Sequence, residues 1–230
     1  MKNVNDIKKL QNVFIGGSAG SGKTNVMQNL LYDYLAVGLN NGVEIYILDP
    51  KGVDYVDYFQ LPQLKDKIAC NIAGGKLIVE KLYKELLLRK QAFKMVGAKC
   101  FSEYKELAIC DDNFSEIVVF IDEIADLSYD KKTYKLLKAL ISLGKNYGMF
   151  FAVATQVSKL FKGIKKRFNY IIACKTITEK DSQILIKTKD AINLPQGKIY
   201  VLHNGKLSIL DVEYYSQEEQ LKDIQELLKK

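Results

Sequence analysis

The chain is 230 residues long and 48% hydrophobic, enough to bury a full core, and its length fits one α/β domain over residues 1–230 better than two small ones. Its 34 Lys and Arg against 27 Asp and Glu give a net charge of +7, which suits a polyanionic partner but also occurs on ordinary basic surfaces. No apolar run approaches the length that crosses a bilayer, and Met1-Lys2-Asn3-Val4-Asn5-Asp6 lacks the apolar stretch of a signal peptide. The expectation is therefore a soluble, cytoplasmic protein rather than a membrane-spanning or secreted one.

The first predicted strand is Val13-Phe14-Ile15, followed by a helix from Lys23 to about Leu39 with Val26, Met27, Leu30, Leu31 and Tyr34 at spacings of three and four. Between them lies Gly17-Ser18-Ala19-Gly20-Ser21-Gly22-Lys23-Thr24, a full G-x-x-x-x-G-K-[ST] match at a strand-to-helix turn. Its glycines let the backbone wrap a phosphate, and its N–H groups and the helix N-terminus point at the anion. Lys23 is expected on the β- and γ-phosphates and Thr24 on Mg²⁺, so Gly17 to Thr24, with the following Asn25, are the candidate nucleotide contacts.

A second strand, Val43–Leu48, ends at Asp49-Pro50-Lys51-Gly52. Asp49 and Lys51 sit where ligands collect in an α/β sheet, so they line either the active site or a subunit seam; the alternative is a turn acid and a solvated lysine. An amphipathic helix is predicted from about Lys76 to Val96. The apolar run Ile117–Ile121 then stops abruptly at Asp122-Glu123 and reads as a buried parallel strand. Acids at that end lie beside the phosphate loop, so Asp122 is the candidate for the Mg²⁺ shell and Glu123 for orienting and deprotonating an attacking water. The pair implies hydrolysis of a nucleoside triphosphate.

Further along come a helix Lys131–Leu143, a strand Met149–Val153, a strand Tyr170–Ala173, a helix Glu179–Lys187, a hairpin at Asn204-Gly205 and a final helix Gln217–Leu228. Strands alternating with helices imply a mainly parallel central sheet with helices on both faces and a C-terminal hairpin; the core spans about 11–212 and a C-terminal helix about 216–230. Cys70, Cys100, Cys110 and Cys174 form no C-x-x-C pair, and the single His203 has no cysteine at metal-ligand spacing, so neither a zinc site nor a disulfide is expected.

Several of these patches stand in the order found in FtsK/SpoIIIE-like DNA translocases, a family of RecA-like P-loop ATPases that this chain resembles from about Val13 to His203. The most specific are Ile47-Leu48-Asp49-Pro50-Lys51-Gly52, Phe120-Ile121-Asp122-Glu123-Ile124-Ala125-Asp126-Leu127 and Ala154-Thr155-Gln156; weaker ones are Glu85-Leu86-Leu87-Leu88-Arg89 and Leu194-Pro195-Gln196-Gly197-Lys198.

The resemblance implies a RecA-like fold, ATP and Mg²⁺ as ligands, and a homo-oligomeric, hexameric ring that moves double-stranded DNA through a basic channel. It assigns Gln156 the role of γ-phosphate sensor, for which a neutral amide able to bond both phosphate and water is suited. The family's neighbouring subunit donates an arginine to the site. Here the corresponding stretch, Leu143-Gly144-Lys145-Asn146-Tyr147-Gly148, offers Lys145, and Val157-Ser158 replace an expected arginine and proline, which leaves Lys145 or Arg167 as the trans-acting cation.

The segment from Lys159 to Phe168 carries five positive charges, and in the family the loop after the sensor strand faces the channel. Lys159, Lys162, Lys165 and Lys166 are therefore the DNA-contact candidates, gripping phosphates without reading sequence. Because the family's membrane-spanning region and winged-helix module have no counterpart here, the chain resembles a bare motor domain, with a separate membrane or DNA-orienting subunit as a possible partner and conjugative transfer or packaging in a mobile element as the setting. Two other readings stay open: the ATPase domain of a specialised protein-secretion system, and a nucleotide-controlled assembly protein with low turnover.

Overall fold

The computed structural model describes residues 11–38, 42–107, 114–214 and 216–227. Leu39, Cys110 and Leu228 lie outside them. Its centre is an eight-stranded sheet formed by β1 (Val13–Gly16), β2 (Glu44–Leu48), β3 (Ile68–Ala69), β4 (Ile117–Ile121), β5 (Met149–Thr155), β6 (Tyr170–Ala173), β7 (Lys198–His203) and β8 (Lys206–Asp211). The order is β3-β2-β4-β5-β1-β6-β7-β8; pairing is parallel through β6 and antiparallel for the last two strands.

The parallel strands are short, rich in β-branched and aromatic residues and apolar except at their ends, Glu44 opening β2 and Thr155 closing β5, as strands covered on both faces must be. Alternate side chains feed two cores. Phe14, Val119, Ile121 and Val153 point to one face, which is covered by α2 (Ile72–Val96), α4 (Ile124–Ser128), α5 (Lys131–Leu143) and α7 (Glu179–Ile186). Val13, Ile15, Val118 and Phe120 point to the other, against α1 (Lys23–Gly38) and α8 (Gln217–Leu227). Two short helices, α3 (Phe101–Glu106) and α6 (Ser158–Phe161), complete the set.

The structure departs from the sequence expectation at several ends. α2 starts at Ile72, ahead of Lys76, because Asn71 Oδ1 caps the N–H of Gly74 at 2.7 Å and because Gly75 lets the helix approach α4: a Cβ there would lie 3.0 Å from Leu127. β5 runs two residues beyond Val153, to Thr155, because Gly16 of β1 continues to pair with it. At the hairpin, Asn204 and Gly205 both take positive φ, 49° and 78°, the pairing that joins two strands in a tight type I′ turn. α8 docks on this chain's own core: Leu221 and Ile224 are buried, Tyr58 donates to Gln220 Oε1 at 3.2 Å, and Gln220 Nε2 donates to Asn29 Oδ1 at 3.0 Å.

Arg89 of α2 is buried, only 1% exposed. Its Nε donates to Glu85 Oε1 at 2.8 Å, Nη1 to the carbonyl of Tyr147 at 2.8 Å and Nη2 to that of Ser115 at 2.7 Å, between the rings of Phe101 and Phe114. One guanidinium thus ties α2 to the chain entering β4 and to the turn entering β5. Among the described residues no helix is long and apolar enough to cross a membrane.

Candidate active site

The phosphate loop leaves β1 at the carboxyl edge of the parallel sheet. Gly17 is required by crowding, since a Cβ there would fall 2.6 Å from Ser21 Oγ and 2.8 Å from Cys174 Cβ; Gly20 and Gly22 take φ of 68° and 88°. Ser18 staples the loop to the end of β6, its N–H and hydroxyl both donating to the Lys175 carbonyl at 2.9 and 3.0 Å. Beneath it the Cys174 thiol is buried and pushed up to about 12 by that burial. Cys70, Cys100 and Cys174 are free thiols.

Lys23 is 7% exposed, and its ammonium donates to the Ser18 carbonyl at 2.7 Å, which holds it at the loop's centre. Burial lowers its pKa, opposed by the acidic groups of Cys174, Glu123 and Asp122.

β4 ends level with β2, where the Asp122 N–H donates to the Leu48 carbonyl at 2.9 Å. This register brings Asp122 under the start of α1, and Thr24 Oγ1 donates to its Oδ2 at 3.2 Å. Burial, then the charge of Asp54, push Asp122 up to about 6. A hydroxyl and a carboxylate side by side, both half-buried, are oxygen donors that fit a small hard cation, so Thr24 and Asp122 would hold Mg²⁺, which neutralises phosphate charge when bound.

Glu123 sits at φ 63°, ψ 71°, a left-handed backbone uncommon for a non-glycine residue and costing roughly 1–3 kcal/mol. This turn carries its carboxylate sideways to the tip of β5. There it accepts from Thr155 Oγ1 at 2.6 Å and from the Gln156 N–H at 3.0 Å. The Thr155 hydroxyl in turn accepts from the Val157 N–H at 3.0 Å.

Asp49 is 1% exposed and does not face the cleft. Its carboxylate gathers the N–H groups of Lys51, Gly52, Val53 and Asp54 at 2.9–3.2 Å, so it shapes the loop that presents Lys51 and Asp54. The result is a cleft of about 340 Å³ lined by Ala19, Gly20, Gly22, Lys23, Thr24, Lys51, Asp54, Asp122, Glu123 and Gln156. Of the candidates, Ala19, Gly20, Gly22, Lys23, Thr24, Asp122, Glu123 and Gln156 meet in this one cavity.

The others do not. Lys145 contacts Gln11 and Asn169 side chains at 3.4 Å, at the opposite, amino edge of the strands. Arg167 is exposed at that same edge, its carbonyl accepting from Asn12 Nδ2 at 2.9 Å. Within one chain neither reaches the cleft. The basic stretch after Gln156 is a crossover that passes over β1 from the end of β5 to the start of β6, rather than a projecting loop. Ile164 and Phe168 anchor it, Phe168 packing edge-on to Phe14 at 5.3 Å. Lys159, Lys162 and Lys166 are exposed, whereas Lys165 is half-buried and donates to the Ile184 carbonyl at 3.2 Å.

The FtsK/SpoIIIE family model matches residues 2–160, which spans the phosphate loop, both acids and Gln156. The chain belongs to the FtsK/SpoIIIE family. It is 25% identical over 198 residues to the DNA translocase FtsK of Helicobacter pylori, a match covering 83% of this chain and 24% of that protein. The chain therefore spans about a quarter of that relative. In fold it resembles the pCW3 conjugation coupling protein TcpA solved with ATPγS, at 21% identity and a TM-score of 0.77, covering 98% of this chain and 66% of that one. It also resembles the type VII secretion ATPase EccC of Thermomonospora curvata, at 16% identity and a TM-score of 0.74, covering 94% of this chain and 28% of that one.

Two residues of this FtsK/SpoIIIE site escaped the sequence reading. Thr155, read only as a neighbour of Gln156, holds the carboxylate of Glu123, and Asp54 lines the cleft beside Asp122. The usable signal was positional: the residues just past adjacent parallel strands share one edge.

Proposed function

We propose that this chain hydrolyses ATP and, as one subunit of a hexameric ring, moves double-stranded DNA. The observation that carries the hydrolytic half is the meeting of Lys23, Thr24, Asp122 and Glu123 in one cleft, with the Glu123 carboxylate fixed by Thr155 and the Gln156 N–H. Lys23 binds the β- and γ-phosphates, Thr24 and Asp122 carry the cation, and Glu123 accepts the proton of the attacking water. Gln156 senses the γ-phosphate from the cleft wall. The trans-acting cation, Lys145 or Arg167, comes from the amino edge of a neighbouring copy.

Asp122 takes a proton as pH falls through about 6, and only its ionised form serves the cation. The Mg²⁺ concentration needed to saturate the protein–nucleotide complex is accordingly expected to rise as pH drops from 7 to 5. An ion-binding titration that gives the same midpoint at both pH values contradicts the assignment.

The DNA half is supported by the exposed lysines that follow Gln156 directly. Removing one lysine–phosphate interaction should flatten the dependence of log K on log salt by about 0.9. Replacing Lys159, Lys162 and Lys166 together by alanine is expected to flatten it by up to about 3, read by filter binding of duplex DNA. An unchanged slope removes this segment from the interface. A nucleotide-controlled assembly protein with low turnover remains the second reading, favoured by Lys145 and Arg167 both standing at the far edge from the cleft within one chain; a hydrolysis rate indifferent to saturating duplex would support it.

A further inference from the structure

Lys51 lines the cleft, yet the hydrolytic arrangement described above gives it no part. The cleft has two banks. One is the phosphate loop after β1 and the other is the turn after β2; between them stand the tips of β4 and β5, carrying Asp122, Glu123 and Gln156. Lys23 stands on the first bank and Lys51 on the second, and among the described residues these are the two cations that line the cavity.

The second bank holds its lysine still at the backbone. The buried Asp49 carboxylate accepts from the N–H of Lys51 at 3.2 Å and of Gly52 at 3.1 Å through Oδ1, and from those of Val53 and Asp54 at 2.9 and 3.0 Å through Oδ2. Gly52 turns at φ 68°, where a Cβ would fall 2.4 Å from the Cys70 carbonyl oxygen, and Gln28 of α1 donates to the Asp54 carbonyl at 3.1 Å. The side chain itself is uncommitted. Lys51 is exposed, and among the described residues its ammonium has neither a hydrogen-bond acceptor nor a carboxylate at ion-pair distance. Burial lowers the pKa of Lys23 and the charge of Lys51 adds to that lowering, so the two ammonium groups act on one shared space. A pinned turn aiming an unpaired cation into that space reduces the ordering cost of closing on an anion there.

In hydrolysis the water oxygen bonds to the γ-phosphorus, the bond to the bridging oxygen breaks and its electron pair leaves with ADP, and Glu123 takes the proton; charge spreads over the γ-phosphoryl oxygens on the way. A cation approaching that group from the side opposite Lys23 stabilises this charge, and within one chain neither Lys145 nor Arg167 reaches the cleft. We infer that Lys51 is a further catalytic residue, its ammonium closing on the γ-phosphate of ATP from the β2 bank and supplying a cation from the same chain. The inference rests on the reading that ATP is hydrolysed in this cleft, and it adds a cis cation to the one proposed from a neighbouring copy.

The γ-phosphate is what ATP has and ADP lacks, so the test compares ADP with the β,γ-methylene analogue of ATP, which resists hydrolysis. Lys51→Ala keeps the N–H that Asp49 holds, so the turn persists. Calorimetric titration in Mg²⁺ is expected to show the analogue weakened about tenfold and ADP unchanged, with kcat for ATP lowered about tenfold or more. Lys51→Arg, which retains the charge, should recover most of both losses. Equal weakening of the two nucleotides, unchanged affinity for the analogue, or a loss of assembly in sedimentation with affinities intact overturns the assignment. A parent chain that binds neither nucleotide overturns the phosphate-loop reading, and this inference with it.

Discussion

Replacing Glu123 with glutamine is expected to lower kcat for ATP by about 10²–10⁴-fold while nucleotide affinity stays within a few-fold. The substitution keeps the shape of the side chain and an oxygen for the Thr155 hydroxyl, which now approaches Glu123 Oε1 at 2.6 Å, but removes the group that accepts a proton from water. Phosphate binding through Lys23 and the loop is untouched. Thr155→Val should give a smaller loss in kcat, about tenfold, because it frees the carboxylate without removing it. Single-turnover hydrolysis alongside equilibrium binding separates these effects. A Glu123→Gln chain that turns over at the parent rate would show that another group takes the proton.

Replacing Arg89 with methionine is expected to destabilise the fold by about 3 kcal/mol, because two carbonyls and the Glu85 carboxylate are deprived of a buried partner while the apolar stem is kept. For a chain of this length that corresponds to a fall in melting temperature of roughly 6–12 °C. The penalty arises from links that bridge three separate parts of the chain: Glu85 in α2, Ser115 before β4 and Tyr147 before β5. Urea denaturation gives the measurement, and a change below about 1 kcal/mol would mean that water replaces the guanidinium at little cost.

What the sequence made legible was what local pattern and fixed spacing encode. β4 and β6 appear with the expected bounds because each is a run of buried apolar residues, and the phosphate loop is readable because its glycines and Lys23-Thr24 are contiguous. The start of α2 was hidden by Gly74-Gly75, which read against a helix by propensity, although Gly75 is there for close packing with Leu127 of α4. β3, two residues long, carries no periodicity to detect. Thr155 could not be assigned to Glu123 because the two are 32 residues apart and meet only through the adjacency of β4 and β5. The placement of Lys145 and Arg167 on the far edge likewise follows from strand direction, which no local spacing reveals.

The two flanks of the sheet are unequal. At one end β3 offers two residues, and at the other β8 offers six, its inner side fully paired with β7. An unpaired outer strand is a template for another backbone, and only the β8 side is long enough to serve. Among the described residues the ladder therefore has one flank long enough to extend, and charges stand at both limits of that margin, Lys206 where it begins and Asp211 where it stops.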